Sequence, residues 1–268
     1  MDILEEIIAH KRIEIEQRKR FIQPRQMITL TEQKMQEDEG CVPGGSMKEA
    51  LMKSETGIIA EFRRKSPSKG WIKEEGRPEI IPASYARNGA AALSILTDSY
   101  YFGGRLEYIQ RARPLVTKPI LRKDFIIDEY QIFEARHAGA DAILLIAANL
   151  KMDDARHLIT MAHELGLEVL MELHSESELD FASLDADMIG VNNRDLGTFH
   201  TDVLHSFHMS AHLPQEKVLV SESGLGDPAT VTLLREAGYR GFLMGEHFMR
   251  TPDPGAELAK FIGGIVVK

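Results

Sequence analysis

Eight short apolar runs, each followed by a loop and a stretch compatible with a helix, recur along the chain of 268 residues. The runs are Gly57–Glu61, Ala91–Leu96, Pro119–Arg122, Ala142–Ile146, Glu168–Glu172, Met188–Asn192, Val218–Glu222 and Gly241–Met244. Several of them are almost wholly apolar, as is typical of parallel strands that are buried on both faces. So regular an alternation of strand and helix predicts the α/β class and a closed (β/α)8 TIM barrel, because an open sheet seldom needs it.

The first 47 residues precede this repeat. Residues 2–20 place apolar side chains among charged ones, which predicts an amphipathic helix that coats the barrel in preference to one that binds a partner. The apolar side chains are Leu4, Ile7, Ile8 and Ile15. Residues 37–46 are rich in glycine and include a proline, which is typical of a linker. We expect residues 1–268 to form a single (β/α)8 barrel domain, of which 1–47 is an N-terminal helical extension.

The composition indicates which classes of partner the protein can bind and which cellular compartment it occupies. The formal net charge is −9 at pH 7, whereas binding to nucleic acid normally requires a basic face. Charged residues interrupt every short apolar run near the N-terminus, so no stretch resembles a signal peptide or a membrane span. The single cysteine, Cys41, can form no internal disulfide and is interpreted as inert, which fits a reducing compartment. We expect a cytoplasmic monomer that binds neither nucleic acid nor membranes.

The sequence contains no HExxH, paired CxxC or GxSxG motif. Three histidines, His205, His208 and His212, share one helical face at i, i+3 and i+7, but they fall on a predicted outer helix. A solvated face is the favoured interpretation of this spacing, ahead of metal ligation. The sequence therefore predicts no metal ion and no nucleophile for hydrolysis.

Charged residues follow several predicted strands at their carboxyl ends, where the loops of such a barrel converge on one mouth. The cations are Arg63, Lys65, Arg122, Lys123 and Arg194, and the carboxylates are Glu61, Glu172 and Glu222. An acidic protein that concentrates cations at one mouth is predicted to bind an anion there. Close packing of such groups shifts pKa values towards neutrality, so the mouth offers candidates for both acid and base catalysis.

Glycines follow the seventh and eighth strands in the segments SESGLGDP and FLMGEHFMR. There, backbone N–H groups can approach a phosphate closely, so Gly224, Gly226 and Gly245 predict a phosphate site. An alternative is that these glycines only form turns. Gly224, Gly226 and Ala229 also match a dinucleotide-binding GxGxxA, but the chain that remains after Val218 is too short for such a domain.

Specific motifs resemble the indole-3-glycerol phosphate synthase family, and they occur in family order from about residue 58 to residue 251. They are IIAEFRRKSPSKG, LSILTDSYYFGG, PILRKDFIIDEYQIFEARHAGADAILLI, LEVLMELH, IGVNNRDLGTF, VSESGL and FLMGEHFMR. The N-terminal ILEEIIAHKRIEI is also similar to the extra helices of that family. The resemblance implies a decarboxylating lyase of tryptophan biosynthesis that needs no cofactor. Its substrate is 1-(2-carboxyphenylamino)-1-deoxyribulose 5-phosphate, which carries a carboxylate and a phosphate.

The resemblance also implies roles for individual residues. Lys123 is the general acid that protonates the substrate carbonyl, and Glu172 assists removal of a proton during dehydration. Glu61, Asn192 and Glu222 hold and polarise the reacting groups, and Arg194 orients the substrate. The remaining substrate contacts are Ser66, the aromatic residues Phe102 and Phe125, and the phosphate and hydroxyl ligands Ser223, Gly224, Gly245 and the backbone of Glu246.

One residue departs from the family pattern, because Arg63 stands where a lysine is usual. A guanidinium can clamp an anion, but it stays protonated at ordinary pH and cannot act as a general acid. Two alternatives therefore remain open at the level of sequence. One is a related phosphate-binding barrel such as phosphoribosylanthranilate isomerase, which the motifs LRKDF and NNRDL disfavour. The other is a ligand-binding barrel whose catalysis is impaired by Arg63.

Overall fold

A computed structural model describes residues 3–39, 42–195, 197–198 and 200–266. Cys41, interpreted above as inert, lies outside the described residues. Within them, eight parallel strands close into a barrel in sequence order, which confirms the predicted TIM barrel. The strands are β1 (Ile58–Phe62), β2 (Ala92–Leu96), β3 (Ile120–Lys123), β4 (Ala142–Ile146), β5 (Glu168–Leu173), β6 (Met188–Asn192), β7 (Val218–Glu222) and β8 (Tyr239–Met244).

Helices precede the barrel, cover it and follow its last strand. They are α1 (Ile3–Phe21), α2 (Pro24–Glu37), α3 (Met47–Lys53), α4 (Ile81–Arg87), α5 (Glu107–Ala112), α6 (Glu129–Ala138), α7 (Met152–Glu164), α8 (Leu204–Ser210), α9 (Pro228–Glu236), α10 (Glu246–Met249) and α11 (Pro254–Gly263). A 3-10 helix, Glu176–Ser183, takes the place of an α-helix between β5 and β6, and shorter ones occupy Arg113–Leu115 and Ala147–Asn149. After β1, Lys65–Ser66 pairs antiparallel with Gly70–Trp71. No helix in the described part of the chain is long and apolar enough to cross a membrane.

Three strands, β4, β6 and β7, have the predicted boundaries, and the boundaries of the other five differ from the predicted ones by one or two residues. The largest difference is at β8, which was predicted to begin at Gly241 but begins at Tyr239. Tyr239 pairs with Leu219 and Gly241 with Val220, so the register shifts between them. Such an irregularity interrupts the period of two that identifies a strand in sequence, which accounts for the difference.

Alternating side chains of the strands divide the core into two layers. The inner layer fills the barrel and includes Ile59, Leu121 and Leu170, all of them without solvent exposure. Two side chains of α3, Met47 and Leu51, join that layer beside residues that begin the strands, and they close the amino end of the barrel. The outer layer lies between the strands and the helices. This packing leaves the carboxyl end of the barrel as the open end.

The N-terminal extension contains two long helices where one was predicted. In α1, Ile15 packs with Met27 of α2 and Tyr130 of α6, which agrees with the predicted coating of the barrel. The buried side chains of α2 are Met27 and Thr31. Buried charge also anchors α1, since Lys11 Nζ lies 2.8 Å from Asp98 and 2.9 Å from Asp124 at the carboxyl end of the barrel.

Candidate active site

A cavity opens at the carboxyl ends of the strands, directly above the inner core. Its floor follows from the alternation of side chains, because Glu61, Lys123, Glu172 and Glu222 each lie two residues beyond an inner apolar residue of the same strand. Apolar walls come from Leu96, Phe102, Phe125, Leu144, Ile146 and Leu243, and α1 contributes Ile3, Leu4 and Ile7. The rings of Phe102 and Phe125 lie 6.0 Å apart at 39°. The cavity thus combines a charged floor with walls suited to an aromatic ring.

Lys123 is the centre of the charged floor. Its Nζ donates hydrogen bonds to Glu172 Oε2 at 2.8 Å and to Glu222 Oε2 at 2.5 Å. The three side chains come from β3, β5 and β7, and both carboxylates are almost fully buried. One ammonium therefore bridges two acids at a point that the fold excludes from bulk water.

Charge and burial give these three groups different pKa values. Burial alone lowers the pKa of Lys123, but the carboxylates of Glu172 and Glu222 outweigh it and raise that pKa. Burial also favours neutral Glu172, yet Lys123 and then His174 hold its pKa well below the ordinary value. For Glu222 the balance is reversed. Burial raises its pKa to about 8, because attraction to Lys123 is offset by repulsion from Glu172.

His174 contacts the second oxygen of Glu172. It lies two residues further along the same face of the chain, and its Nε2 is 3.1 Å from Glu172 Oε1. The side chain is almost fully buried, with 7% exposed. Glu172 is therefore held between an ammonium on one oxygen and an imidazole on the other, which fixes the orientation of its carboxylate.

Glu61 and Arg63 stand on the opposite side of the floor, at and just beyond the end of β1. Glu61 is buried and accepts a hydrogen bond from Ser94 Oγ at 3.3 Å. Arg63 Nε lies 3.4 Å from Glu61 Oε1, and its other end reaches towards Glu246 at 3.7 Å. Arg63 thereby lines both the main cavity and a second pocket beside it.

The second pocket lies beyond β7 and β8, where the sequence predicts a phosphate site. Ser223 and Gly224 both have positive φ, 70° and 76°, so the backbone turns sharply there. A non-glycine residue rarely adopts this conformation, and hydrogen bonds hold it. Ser223 Oγ donates to Asn192 Oδ1 at 2.8 Å, and Asn193 donates to the Ser223 carbonyl at 3.0 Å.

Cations surround the same pocket, and one carboxylate of the protein pairs with them. Glu246, at the start of α10, accepts hydrogen bonds from Lys69 at 2.5 Å and pairs with Arg250 at 2.8 Å. Arg194 lies 3.9 Å from its other oxygen. Burial raises the pKa of Glu246, but Lys69 and Arg250 lower it further than burial raises it. The prediction for Glu246 concerned its backbone, and its side chain proves to organise the cations.

Comparison with known proteins identifies the family. The family model described as indole-3-glycerol phosphate synthase matches residues 4–261. The chain belongs to the indole-3-glycerol phosphate synthase family. A relative of that name from Bacteroides thetaiotaomicron is 57% identical over 265 residues, covering 98% of this chain and 99% of the relative. Another from Dechloromonas aromatica is 42% identical over 260 residues, covering 97% and 98%.

Solved structures add support for the fold alone. Tryptophan synthase subunit alpha from Legionella pneumophila matches with a TM-score of 0.59 at 15% identity, covering 82% of this chain and 97% of that one. A mutant tryptophan synthase alpha-subunit from Pyrococcus furiosus gives a TM-score of 0.60 at 13% identity, covering 79% and 98%. The resemblance to indole-3-glycerol phosphate synthase and the barrel fold are thus both confirmed.

The structure brings together the site residues expected of a member of this family. The main cavity is lined by Glu61, Arg63, Ser66, Phe102, Lys123, Phe125, Glu172, Asn192, Arg194, Glu222 and Ser223. The second pocket adds Gly224, Gly245 and Glu246 and shares Glu61, Arg63, Arg194 and Ser223 with the first. The two pockets therefore adjoin, as a substrate that carries charge at both ends requires.

Two cations predicted at the mouth do not reach it. Arg122 points away from the barrel interior, where its side chain has no exposure and bonds to Asp124 and to the Gln131 carbonyl. The reason is alternation, since Lys123 points inward and its neighbour must then point outward. Lys65 donates to the Tyr100 carbonyl at 3.0 Å and lines neither pocket.

Other contributions to the site were missed from the sequence. The apolar side chains of α1 lie over the cavity, although the sequence showed only that this helix coats something. His174 sits in the quoted motif LEVLMELH, two residues beyond Glu172, and the period of two would have placed both on one face. Lys69 lies in a loop, where no periodicity indicates direction.

Proposed function

We propose that this site converts 1-(2-carboxyphenylamino)-1-deoxyribulose 5-phosphate to indole-3-glycerol phosphate, with release of carbon dioxide and water. One observation carries the proposal: Lys123 bridges Glu172 and Glu222 at the floor of an aromatic-walled cavity that adjoins a cation-lined pocket. Membership of the indole-3-glycerol phosphate synthase family supports the same reaction. The roles below are assigned to residues on the basis of this geometry.

Lys123 acts as the general acid of ring closure. As the aromatic carbon that bears the carboxylate attacks the ketone carbon, the ketone oxygen gains negative charge and takes a proton from the ammonium. Two flanking carboxylates raise the pKa of Lys123, so the donor is fully charged before the substrate reacts. Loss of carbon dioxide then returns the bonding electrons to the ring.

Glu172 and Glu222 manage the protons of dehydration. Glu172 has a lowered pKa and is ionised, so it can accept the proton that the substrate loses as the hydroxyl departs. Glu222, with its pKa raised to about 8, holds a proton at neutral pH and lies 2.5 Å from Lys123 Nζ. It is positioned to return a proton to Lys123, and the leaving hydroxyl is then protonated to water.

Arg63 serves as a clamp for an anionic group of the substrate. It lies between the main cavity and the second pocket, so its guanidinium can reach either the carboxylate or the phosphate. Glu61 at 3.4 Å fixes the near end of this guanidinium. Since an arginine cannot release a proton at ordinary pH, Lys123 is the proposed proton donor and Arg63 positions the substrate.

The second pocket binds the substrate phosphate. Ser223 and Gly224 place backbone groups at its rim, and Gly245 lets a ligand approach closely. Lys69, Arg250 and Arg194 supply the positive charge. Phe102 and Phe125 would then hold the aromatic ring of the substrate in the main cavity.

Incubation with the substrate tests the reaction directly, because the indole product fluoresces. We expect fluorescence to rise with enzyme concentration and to be lost in the Glu172→Gln variant. Phosphoribosylanthranilate isomerase activity with no indole formation would favour the related barrel instead. Binding of the substrate without any fluorescence would favour a ligand-binding barrel whose catalysis is impaired.

We further propose that residues 1–268 function as one domain and as a monomer in the cytoplasm. The buried ion pairs of Lys11 and the apolar contacts of α1 join the N-terminal extension to the barrel. Sedimentation of the protein at several concentrations tests the monomer, and a dimer at all concentrations would contradict it.

A further inference from the structure

A second cluster of polar side chains lies on the surface, outside the two pockets. Glu176 begins the 3-10 helix after β5, His208 lies in α8, and His212 follows the end of that helix. All three are exposed, and each offers a ligand atom within 4.8 Å of the others. Segments on either side of β6 therefore meet at one point and present three metal-ligating groups.

The cluster is ordered by its own contacts. His208 Nε2 lies 2.5 Å from Glu176 Oε1, and the rings of His208 and His212 have centroids 5.5 Å apart. The third histidine of the helical face, His205, bonds instead to the backbone of His174.

This combination of donors selects a class of ligand. Two imidazoles and one carboxylate, with the fourth side open to solvent, suit Zn²⁺, which accepts nitrogen and oxygen donors and completes its coordination with water. Hard cations such as Mg²⁺ prefer oxygen donors throughout and fit this set poorly. Sequence spacing alone favoured a solvated face, because it could not show that Glu176 lies beside two of the three histidines.

We propose that Glu176, His208 and His212 form a surface binding site for a divalent transition metal, with Zn²⁺ as the preferred ion. The bound ion would join the chain that follows β5 to α8. Because Glu172 lies on β5, four residues before Glu176, the ion would restrain the loop beyond a residue of the catalytic floor. Its main effect is stabilisation by mass action, since the folded chain alone assembles the three ligands.

Calorimetric titration of the full-length protein with Zn²⁺ at pH 7.5 tests the site. We expect one ion per chain. Loss of an outer-shell partner lowers metal affinity roughly 10- to 100-fold, so loss of a ligand should lower it at least as far. That loss is expected in both His208→Gln and His212→Gln. Because metal ions compete with protons for their ligands, binding should weaken as the pH is lowered.

His157→Gln is the matched control. His157 is an exposed histidine 3.2 Å from the carboxylate of Glu129, so it has a similar pairing. It is not part of the cluster of His208 and His212. Zinc should also raise the melting temperature of the parent and of the His157→Gln variant, but not that of the other two variants. Equal affinity in all four proteins, or no binding by the parent, would overturn the proposal, whatever the result of the fluorescence assay for turnover.

Discussion

Lys123 illustrates how the barrel prepares a proton donor before any substrate arrives. Its ammonium is buried, which by itself favours the neutral amine, but two carboxylates at hydrogen-bond distance reverse that preference. The aromatic walls and the second pocket are formed by other side chains. Binding and proton donation are therefore separable at this residue.

We predict that Lys123→Ala lowers kcat by roughly 100- to 10,000-fold, the usual contribution of a well-placed proton donor. KM should change little, because the phosphate and the aromatic ring bind elsewhere. Indole fluorescence under saturating substrate measures kcat, and Lys118→Ala is the control, since Lys118 precedes the same strand at the opposite end of the barrel. Turnover at the parental rate in Lys123→Ala would exclude this residue as the acid.

Glu222 should set the upper pH limit of catalysis. Its pKa is raised to about 8, so it holds a proton below that pH and loses it above. If this proton resupplies Lys123, kcat should fall as the pH rises through about 8. Glu222→Gln should have a lower maximum rate and no decline in this range, because an amide does not titrate there. An identical alkaline decline in parent and variant would assign it to another group.

Arg63 offers a test of positioning against proton donation. Arg63→Lys restores an amine that can release a proton, but it loses the planar fork that reaches both Glu61 and Glu246. We predict a higher KM and no gain in kcat. Steady-state kinetics with the substrate check this, and a large rise in kcat with unchanged KM would make the family's usual lysine a better catalyst here.

The direction in which each side chain of the site points could be predicted from the sequence only in part. The strand ends identified Glu61, Lys123, Glu172 and Glu222, because each strand was recognised from its apolar residues. The assignment of Arg122 to the mouth was wrong, since alternation admits only one of two consecutive cations. Contacts between distant segments, such as Lys69 with Glu246, leave no periodic trace in the sequence.

Among the secondary-structure elements, α1 is both a covering helix and a wall of the active site. Its amphipathic pattern predicted that it covers the barrel. Its contacts at the carboxyl ends of β2 and β3 place it over the active site. Lys11 is buried between Asp98 and Asp124 just beyond these two strands. This ion pair holds the helix over the cavity, where Leu4 and Ile7 contribute apolar surface.

Lys11→Met should destabilise the protein strongly, because it leaves two buried carboxylates without their shared cation. Breaking one partner of a buried ion pair costs about 3–5 kcal/mol. The matched change in the same helix is Lys19→Met, which removes a partly exposed pair with Asp128 and should cost no more than about 1 kcal/mol. Urea unfolding measures both, and equal losses would show that burial of Lys11 contributes nothing.

Across the entire chain, the distribution of charge matters more than its total. The chain carries −9 overall, yet its second pocket gathers Lys69, Arg194 and Arg250 around one carboxylate, Glu246. A phosphate that binds here must compete with Glu246 for these cations, so its binding requires a rearrangement of the ion pairs in the pocket. The pocket beyond the carboxyl ends of β7 and β8 leaves room for this, and Gly245 lines it.

Gly245→Val should therefore weaken substrate binding more than it slows the bound complex. At Gly245 φ is −133°, outside the left-handed region, and a Cβ there would lie 2.8 Å from Glu61 Oε1 and 2.9 Å from Glu61 Cβ. That contact displaces the pocket wall, which should raise KM more than it lowers kcat. At Gly263, in α11 and outside both pockets, a Cβ meets nothing within 4 Å, which makes Gly263→Ala the matched change with little effect.

Inorganic phosphate separates binding from folding in this comparison. At about 100 times its Kd, a ligand that binds only the folded state adds about 2.7 kcal/mol to the free energy of unfolding. Phosphate should therefore raise the melting temperature of the parent and of Gly263→Ala, and inhibit both competitively, but do neither in Gly245→Val. If phosphate protected all three proteins equally, the anion would bind elsewhere, because a valine just beyond β8 would then have no effect on its binding.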